Sequence, residues 1–193
     1  MEKLQVVLEG TGEGLLMHSA QAMEAQKATK NPTKVYDHKE EAEKVAYRNE
    51  NGELYIPSRC VKAALLNAAS WYKFGKKSAK PILAGCTRLE PYNLILTDLK
   101  GKPISEYEID VRPVVVQKAR ILRARPKIKD WQLKFDILYN EEMIGSPELI
   151  KQMLEEAGQR IGLLDNRPQR YGENGTFKVV KFIVEKEKGV KKK

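Results

Sequence analysis

The stretch Trp131–Leu138, WQLKFDIL, alternates strictly. Trp131, Leu133, Phe135 and Ile137 face one way, while Gln132, Lys134 and Asp136 face the other. A period of two marks a strand with one buried and one wet face. The fold must therefore supply a sheet with an apolar side, and the other segments must cover that side.

The remaining segments fall into an order. Leu4–Glu9, LQVVLE, reads as a first strand, broken by Gly10, Gly12 and Gly14. Residues 20–44 are polar and rich in Lys, Glu and Ala, with Pro32 among them, and read as a partly helical insertion. Val45–Arg48 and Leu54–Ile56 flank Asn49-Glu50-Asn51-Gly52, a hairpin signal. Ser58 is placed to cap a helix running to about Tyr72, with Gly75 as its stop. Val61, Leu65, Ala68 and Tyr72 form its apolar stripe. Leu89–Thr97 is a second strand, Tyr107–Arg125 a long β-rich stretch, and Ser146-Pro147-Glu148 opens a second helix. Leu149, Ile150, Met153, Leu154, Ala157 and Ile161 form that helix's apolar face. A glycine-rich loop, Leu163–Gly175, leads to a last strand, Thr176–Val184.

Without its insertions this is βαββαβ, the ferredoxin-like order of an α+β fold, in which two helices cover one face of a four-stranded antiparallel sheet. The expected organisation is one domain over residues 1–185. It has a long insertion (19–57) after the first strand, an inserted β-hairpin (104–130), and a charged tail (186–193).

Charge narrows the partner. The 193 residues hold 35 Lys+Arg against 26 Asp+Glu, a net +9, and the pI is near 9.4. Such an excess favours a polyanion. Seven cations and no acid lie between Val111 and Lys129: Arg112, Lys118, Arg120, Arg123, Arg125, Lys127 and Lys129. The pattern suggests two strands with a tip near Arg125-Pro126-Lys127 and basic side chains on both faces. Uncompensated charges at this density are best explained by phosphates, with a solvated edge ribbon as the bland alternative. A second basic site is Asn166–Gly172, where Arg167 and Arg170 are suited to phosphate and Tyr171 to a base, unless Tyr171 packs on the core. The third is Arg59 and Lys62 in the first turn of the first helix. Cations there oppose the helix dipole unless an anion binds.

Cys60 and Cys86 make neither a disulfide framework nor a zinc motif, and are expected as buried reduced thiols. Met1–Glu9 lacks a signal-peptide pattern, and no apolar run is long enough to span a membrane, so a cytoplasmic location is expected.

Three stretches resemble the RAMP superfamily of CRISPR-associated RNA-binding proteins. LYIPSRCVKAALLNAA is similar to the family's extended segment leading into its first helix. RIGLLDNRPQRYGENGTFKVVKF is similar to its glycine-rich loop before the final strand, and the inserted hairpin is similar to its thumb. The resemblance is closest to the repeated backbone subunit of effector complexes, or a virus-encoded relative. It implies a modified RNA-recognition fold that binds single-stranded guide RNA, self-associates into a filament and meets other effector subunits, with no cofactor. The strands show no evident pair of stacking aromatics, which argues against recognition on the sheet face.

Some members of that family cleave RNA with an aspartate in the corresponding insertion, which draws attention to Asp37 and His38. His18 is a further candidate for RNA contact or acid–base work. Glu40, Glu41 and Glu43 follow, so Asp37 is not distinctive, and a solvated loop is the simpler reading. A non-enzymatic binder is therefore expected. The alternatives are a stand-alone viral single-strand DNA- or RNA-binding protein, a metal-dependent RNase, and a scaffold gripping an acidic protein.

Overall fold

The computed structural model of the chain describes residues 1–18, 37–116 and 118–185. Most of the insertion's first half (19–36) and the tail (186–193) lie outside the described residues. In chain order the elements begin with β1 (Glu2–Gly10), β2 (Leu15–Leu16), α1 (His38–Val45), β3 (Tyr55–Pro57) and α2 (Ser58–Ala68). Next come β4 (Lys73–Phe74), β5 (Lys77–Ser78), α3 (Ala79–Cys86), β6 (Thr87–Glu90) and β7 (Asn93–Thr97). The last are β8 (Glu108–Val116), β9 (Ala119–Ile128), β10 (Gln132–Tyr139), α4 (Glu141–Ile144), α5 (Pro147–Glu156) and β11 (Phe177–Glu185).

The main sheet runs β11-β1-β10, with β6 and β7 both antiparallel to β10 and β3 beyond β7. The segments β6 and β7 are two halves of one strand interrupted at Pro91 and Tyr92. Counted as one, they give the ferredoxin-like order: last strand, first, third, second. The alternation in WQLKFDIL sets the layers. Leu133, Phe135, Ile137 and Tyr139 of β10 are buried with Leu4, Val6 and Leu8 of β1. Val61, Leu65 and Ala68 of α2 and Ile150, Met153 and Leu154 of α5 cover them. The opposite face carries ion pairs: Lys3–Asp136 at 3.0 Å and Lys178–Glu9 at 2.7 Å, with Gln132 donating to Glu9 at 2.8 Å.

Several expectations need correction. Helix α2 ends at Ala68 and tightens into a 3₁₀ turn, Ala69–Trp71. Gly75, at φ +61°, lies in the turn of the small hairpin β4–β5 rather than stopping the helix. Ser58 is not a side-chain cap. It is buried as the first helical residue, and its N–H donates to the Tyr92 carbonyl at 2.7 Å. Helix α3 was not foreseen, because Pro81 and Gly85 break its pattern; a proline in the first turn costs no intrahelical hydrogen bond.

The long hairpin also differs from expectation. Val116 pairs with Ala119, so the tip lies between them, at Lys118 (φ +70°), and Pro126 sits mid-ribbon opposite Ile109. With that register Arg112, Arg123, Arg125 and Lys127 share one face. The other carries Ile109, Val111, Pro113, Val115 and Leu122, with Arg120 the only cation in the paired ribbon there. The ribbon is therefore basic on one side only. It is tied to the body by β2, where Leu15 and Leu16 pair with Ile128 and Lys127. Helix α1 lies along β9: Asp37 caps it by accepting from the Lys39 and Glu40 N–H groups, and Glu41 accepts from the Ala124 N–H at 2.7 Å. Glu43 joins α1 to the base of the hairpin by accepting from Tyr107 at 2.5 Å and pairing with Arg48 at 2.6 Å.

Beyond α5 a π-helical turn, Ala157–Ile161, runs so close to β11 that a Cβ on Gly158 would fall 2.0 Å from the Phe177 carbonyl oxygen. Alanine normally favours a helix over glycine by about 1 kcal/mol. Here the clash should outweigh that gain, so Gly158→Ala should lose about 1–3 kcal/mol in urea unfolding. Acid should loosen α1. The Arg48 guanidinium, helped by Tyr107, holds the Glu43 carboxyl below its usual range against the opposing effect of burial. Its contribution is present above the ordinary carboxylate pKa and is lost as pH falls through the lowered folded value. Amide-exchange protection factors in α1 should therefore fall as pH drops below the ordinary carboxylate range, and in Glu43→Gln they should not.

Candidate nucleic-acid interface

Five of the seven hairpin cations are neutralised, which overturns the expectation of an uncompensated ribbon. Arg112 meets Asp110 at 2.8 Å, Arg123 meets Glu41 at 2.8 Å, and Arg125 meets Asp165 at 2.6 Å. Lys127 meets Glu13 at 3.3 Å and Lys129 meets Glu108 at 2.9 Å. Glu13, Glu41 and Asp165 come from other parts of the chain and Glu108 and Asp110 from the start of β8, so an acid-free stretch of sequence is not an acid-free surface. Lys118 and Arg120, near the tip, have no carboxylate partner among the described residues.

The first-helix cations separate. Lys62 reaches across to the C-terminal end of α3, where its ammonium donates to the Ala84 and Thr87 carbonyls at 3.0 and 2.7 Å. Those carbonyls lie at the negative end of a helix dipole, so the cation unfavourable in its own helix stabilises its neighbour. Arg59 stays exposed near Tyr92, Cys60 and Tyr47.

The glycine-rich loop is rigidly built. Asn174, 1% exposed, donates to the Glu13 and Gly14 carbonyls and accepts from Asn166 at 2.7 Å. A Cβ on Gly172 would fall 1.9 Å from the Asn166 carbonyl oxygen. The Arg167 guanidinium is fixed by the Leu164 carbonyl at 2.7 Å and by Gln169. Arg170 is exposed, and Tyr171, at φ +62°, is fully exposed, so it does not pack on the core.

This loop, α2 and the hairpin base enclose two adjoining hollows that share Arg125, Asp165 and Arg167. One, of about 410 Å³, is lined by His18, Tyr47, Cys60, Ala63, Asn67 and Gly162 among others. The other, of about 590 Å³, adds Arg112, Asn166 and Arg170. The Arg125–Asp165 contact between them is ionic; the Nε–H does not point at the carboxylate. Burial pushes the Cys60 thiol up, while Arg59 and Arg167 oppose it, and of the two Arg167 lines the first hollow. Four arginines (112, 125, 167 and 170) and one carboxylate, Asp165, therefore line the groove, and Arg59 stands next to the lining residue Cys60. Such a groove concentrates positive potential and suits a phosphate chain.

His18 lines the groove, whereas Asp37 and His38 stand at the start of α1 and do not line it. Cys60 and Cys86 are free and half-buried rather than fully buried. Asn67, Ala63 and Tyr47 escaped sequence reading because nothing local distinguishes a groove wall from an ordinary helix face. Among the described residues no helix is long and apolar enough to cross a membrane.

No family model and no curated protein matches the chain. Among solved structures it is similar to a chain in the cryo-EM structure of the Type III-B Cmr-beta bound to cognate target RNA. The two share 14% identity at a TM-score of 0.55. The likeness covers 96% of this chain and 61% of that one, so this chain spans under two thirds of its neighbour's length. At such identity the likeness establishes the fold.

Replacing Lys62 by Met should lower stability by about 1.5–3 kcal/mol through the two lost charge-assisted hydrogen bonds, read by urea unfolding.

Proposed function

We propose that the groove holds the sugar–phosphate backbone of single-stranded RNA, a guide RNA, without cleaving it. In this reading the chain is a repeated, filament-forming subunit of a CRISPR-type effector complex. One observation carries it: arginines from two stretches far apart in sequence, Arg112 and Arg125 of the long hairpin and Arg167 and Arg170 of the final loop, converge on one groove. Two further observations support it. The fold is shared with a chain of a Cmr assembly bound to target RNA. The open sheet face is occupied by ion pairs rather than stacking aromatics, which leaves the groove as the better track for a strand. Asp37 serves as a helix cap, a role that accounts for it without catalysis.

Affinity for a uridine homopolymer measured against salt tests this reading. Three to five phosphate contacts should give a log–log slope of about −2 to −3.5. Arg170→Ala should weaken binding several-fold and reduce the slope by about 0.7. The double change Lys118→Glu and Arg120→Glu probes the hairpin without breaking its ion pairs and should weaken binding to all sequences alike. A flat salt dependence would remove the proposal. Equal affinity for the matching DNA oligomer would favour a general single-strand binder over a guide-RNA subunit.

A further inference from the structure

Among the described residues, the largest block of unneutralised charge lies outside both the long hairpin and the groove. From Leu54 to Leu89 the chain contains no Asp or Glu. Of the cations in that span, Lys62 is engaged by carbonyls, Arg88 pairs with Glu90 at 2.9 Å, and Arg59 flanks the groove. The other four, Lys73, Lys76, Lys77 and Lys80, are exposed on the small hairpin β4–β5 and the first turn of α3. None has a carboxylate partner among the described residues. Four ammonium groups within eight residues repel one another, and nothing visible offsets that cost.

Beside them stands Trp71, 50% exposed. The Arg160 guanidinium lies over its ring, 4.2 Å from the centroid, and also reaches Glu156 at 3.4 Å. The arginine fixes the indole and leaves its remaining surface to solvent. Glu156 and Glu155 also lie near Tyr72, where burial and these carboxylates push the phenol up against the effect of Arg160. Trp71 also stands close in sequence to the groove wall. Cys60, Ala64 and Asn67 of α2 line the groove, and Trp71 closes the 3₁₀ turn that follows this helix. Ile161, next to Arg160, lines the groove as well.

We infer that Trp71 and the lysines of the β4–β5 hairpin form a second contact for single-stranded RNA, continuous with the groove. A base stacks on the indole and adjacent phosphates meet Lys73, Lys76 and Lys77. An aromatic platform beside a cationic ribbon is the usual chemistry for holding a strand without reading its sequence. This inference rests on the groove being an RNA site and extends the strand's path past the end of α2.

Intrinsic fluorescence tests it directly, because the other tryptophan, Trp131, is fully buried and should not respond. Titrating the full chain with a uridine homopolymer should quench part of the emission. Trp71→Phe should abolish the quench while retaining affinity within about two-fold, since phenylalanine still stacks. Trp71→Ala should weaken binding roughly ten-fold. Replacing Lys76 and Lys77 by Ser should reduce the salt slope by about 1.4. If wild-type protein binds RNA with a steep salt slope, yet shows no quench and Trp71→Ala keeps full affinity, this inference falls and the groove reading stands. If wild-type protein does not bind RNA at all, both fall. Quenching by poly-glutamate but not by RNA would overturn the inference in favour of an acidic protein partner.

Discussion

Leu15 and Leu16 join parts of the chain that are more than a hundred residues apart. They pair with Ile128 and Lys127 at the hairpin base, and the Leu16 carbonyl accepts from the Asp165 N–H at 3.2 Å. The Asp165 carboxylate then meets Arg125 across the same junction. The hairpin, the final loop and the segment after the first strand are thus held by this short ladder, by the Arg125–Asp165 and Lys127–Glu13 pairs and by the Asn174 side chain, and the groove lies where they meet. Losing this junction would leave each arginine on its own flexible element. Binding would then carry the entropy of ordering them.

Charge in this protein divides into two kinds. The hairpin arginines and lysines paired with Asp110, Glu41, Asp165, Glu13 and Glu108 are partly structural, because they fasten the ribbon to α1, to the final loop and to the start of the chain. Partly exposed pairs like these are each worth little, and their value here is geometric: they set where the ribbon lies. Other cations have no carboxylate partner among the described residues, among them Lys118 and Arg120 at the hairpin tip, Arg170, and the lysines of the β4–β5 ribbon. A polyanion gains most from those positions, since no internal partner must be displaced there.

Much of the fold was legible. The period-two pattern in WQLKFDIL, the Ser146-Pro147-Glu148 start and the apolar spacing in α5 all appeared as read, because each is a local rule enforced by burial on one face. Ser146 caps by accepting from the Glu148 N–H at 3.3 Å. Local rules failed where a distant partner decided the outcome. Lys62 appeared to be an anion ligand until α3, itself hidden by Pro81 and Gly85, placed carbonyls against it. The ribbon's turn was misplaced because Pro126 suggests a turn, whereas cross-strand pairing with Ile109 holds it in the ribbon.

What the sequence alone determined was the order and type of the main elements, the buried face of the sheet, and the excess of positive charge, since these follow from periodicity, end signals and composition. Which cations are free, and which stretches share a groove, was decided only by tertiary structure. Ion pairing depends on distances of a few ångströms between residues as far apart in sequence as Lys127 and Glu13, or Lys3 and Glu185. No local pattern encodes that distance; the sheet register and the docking of β2 do.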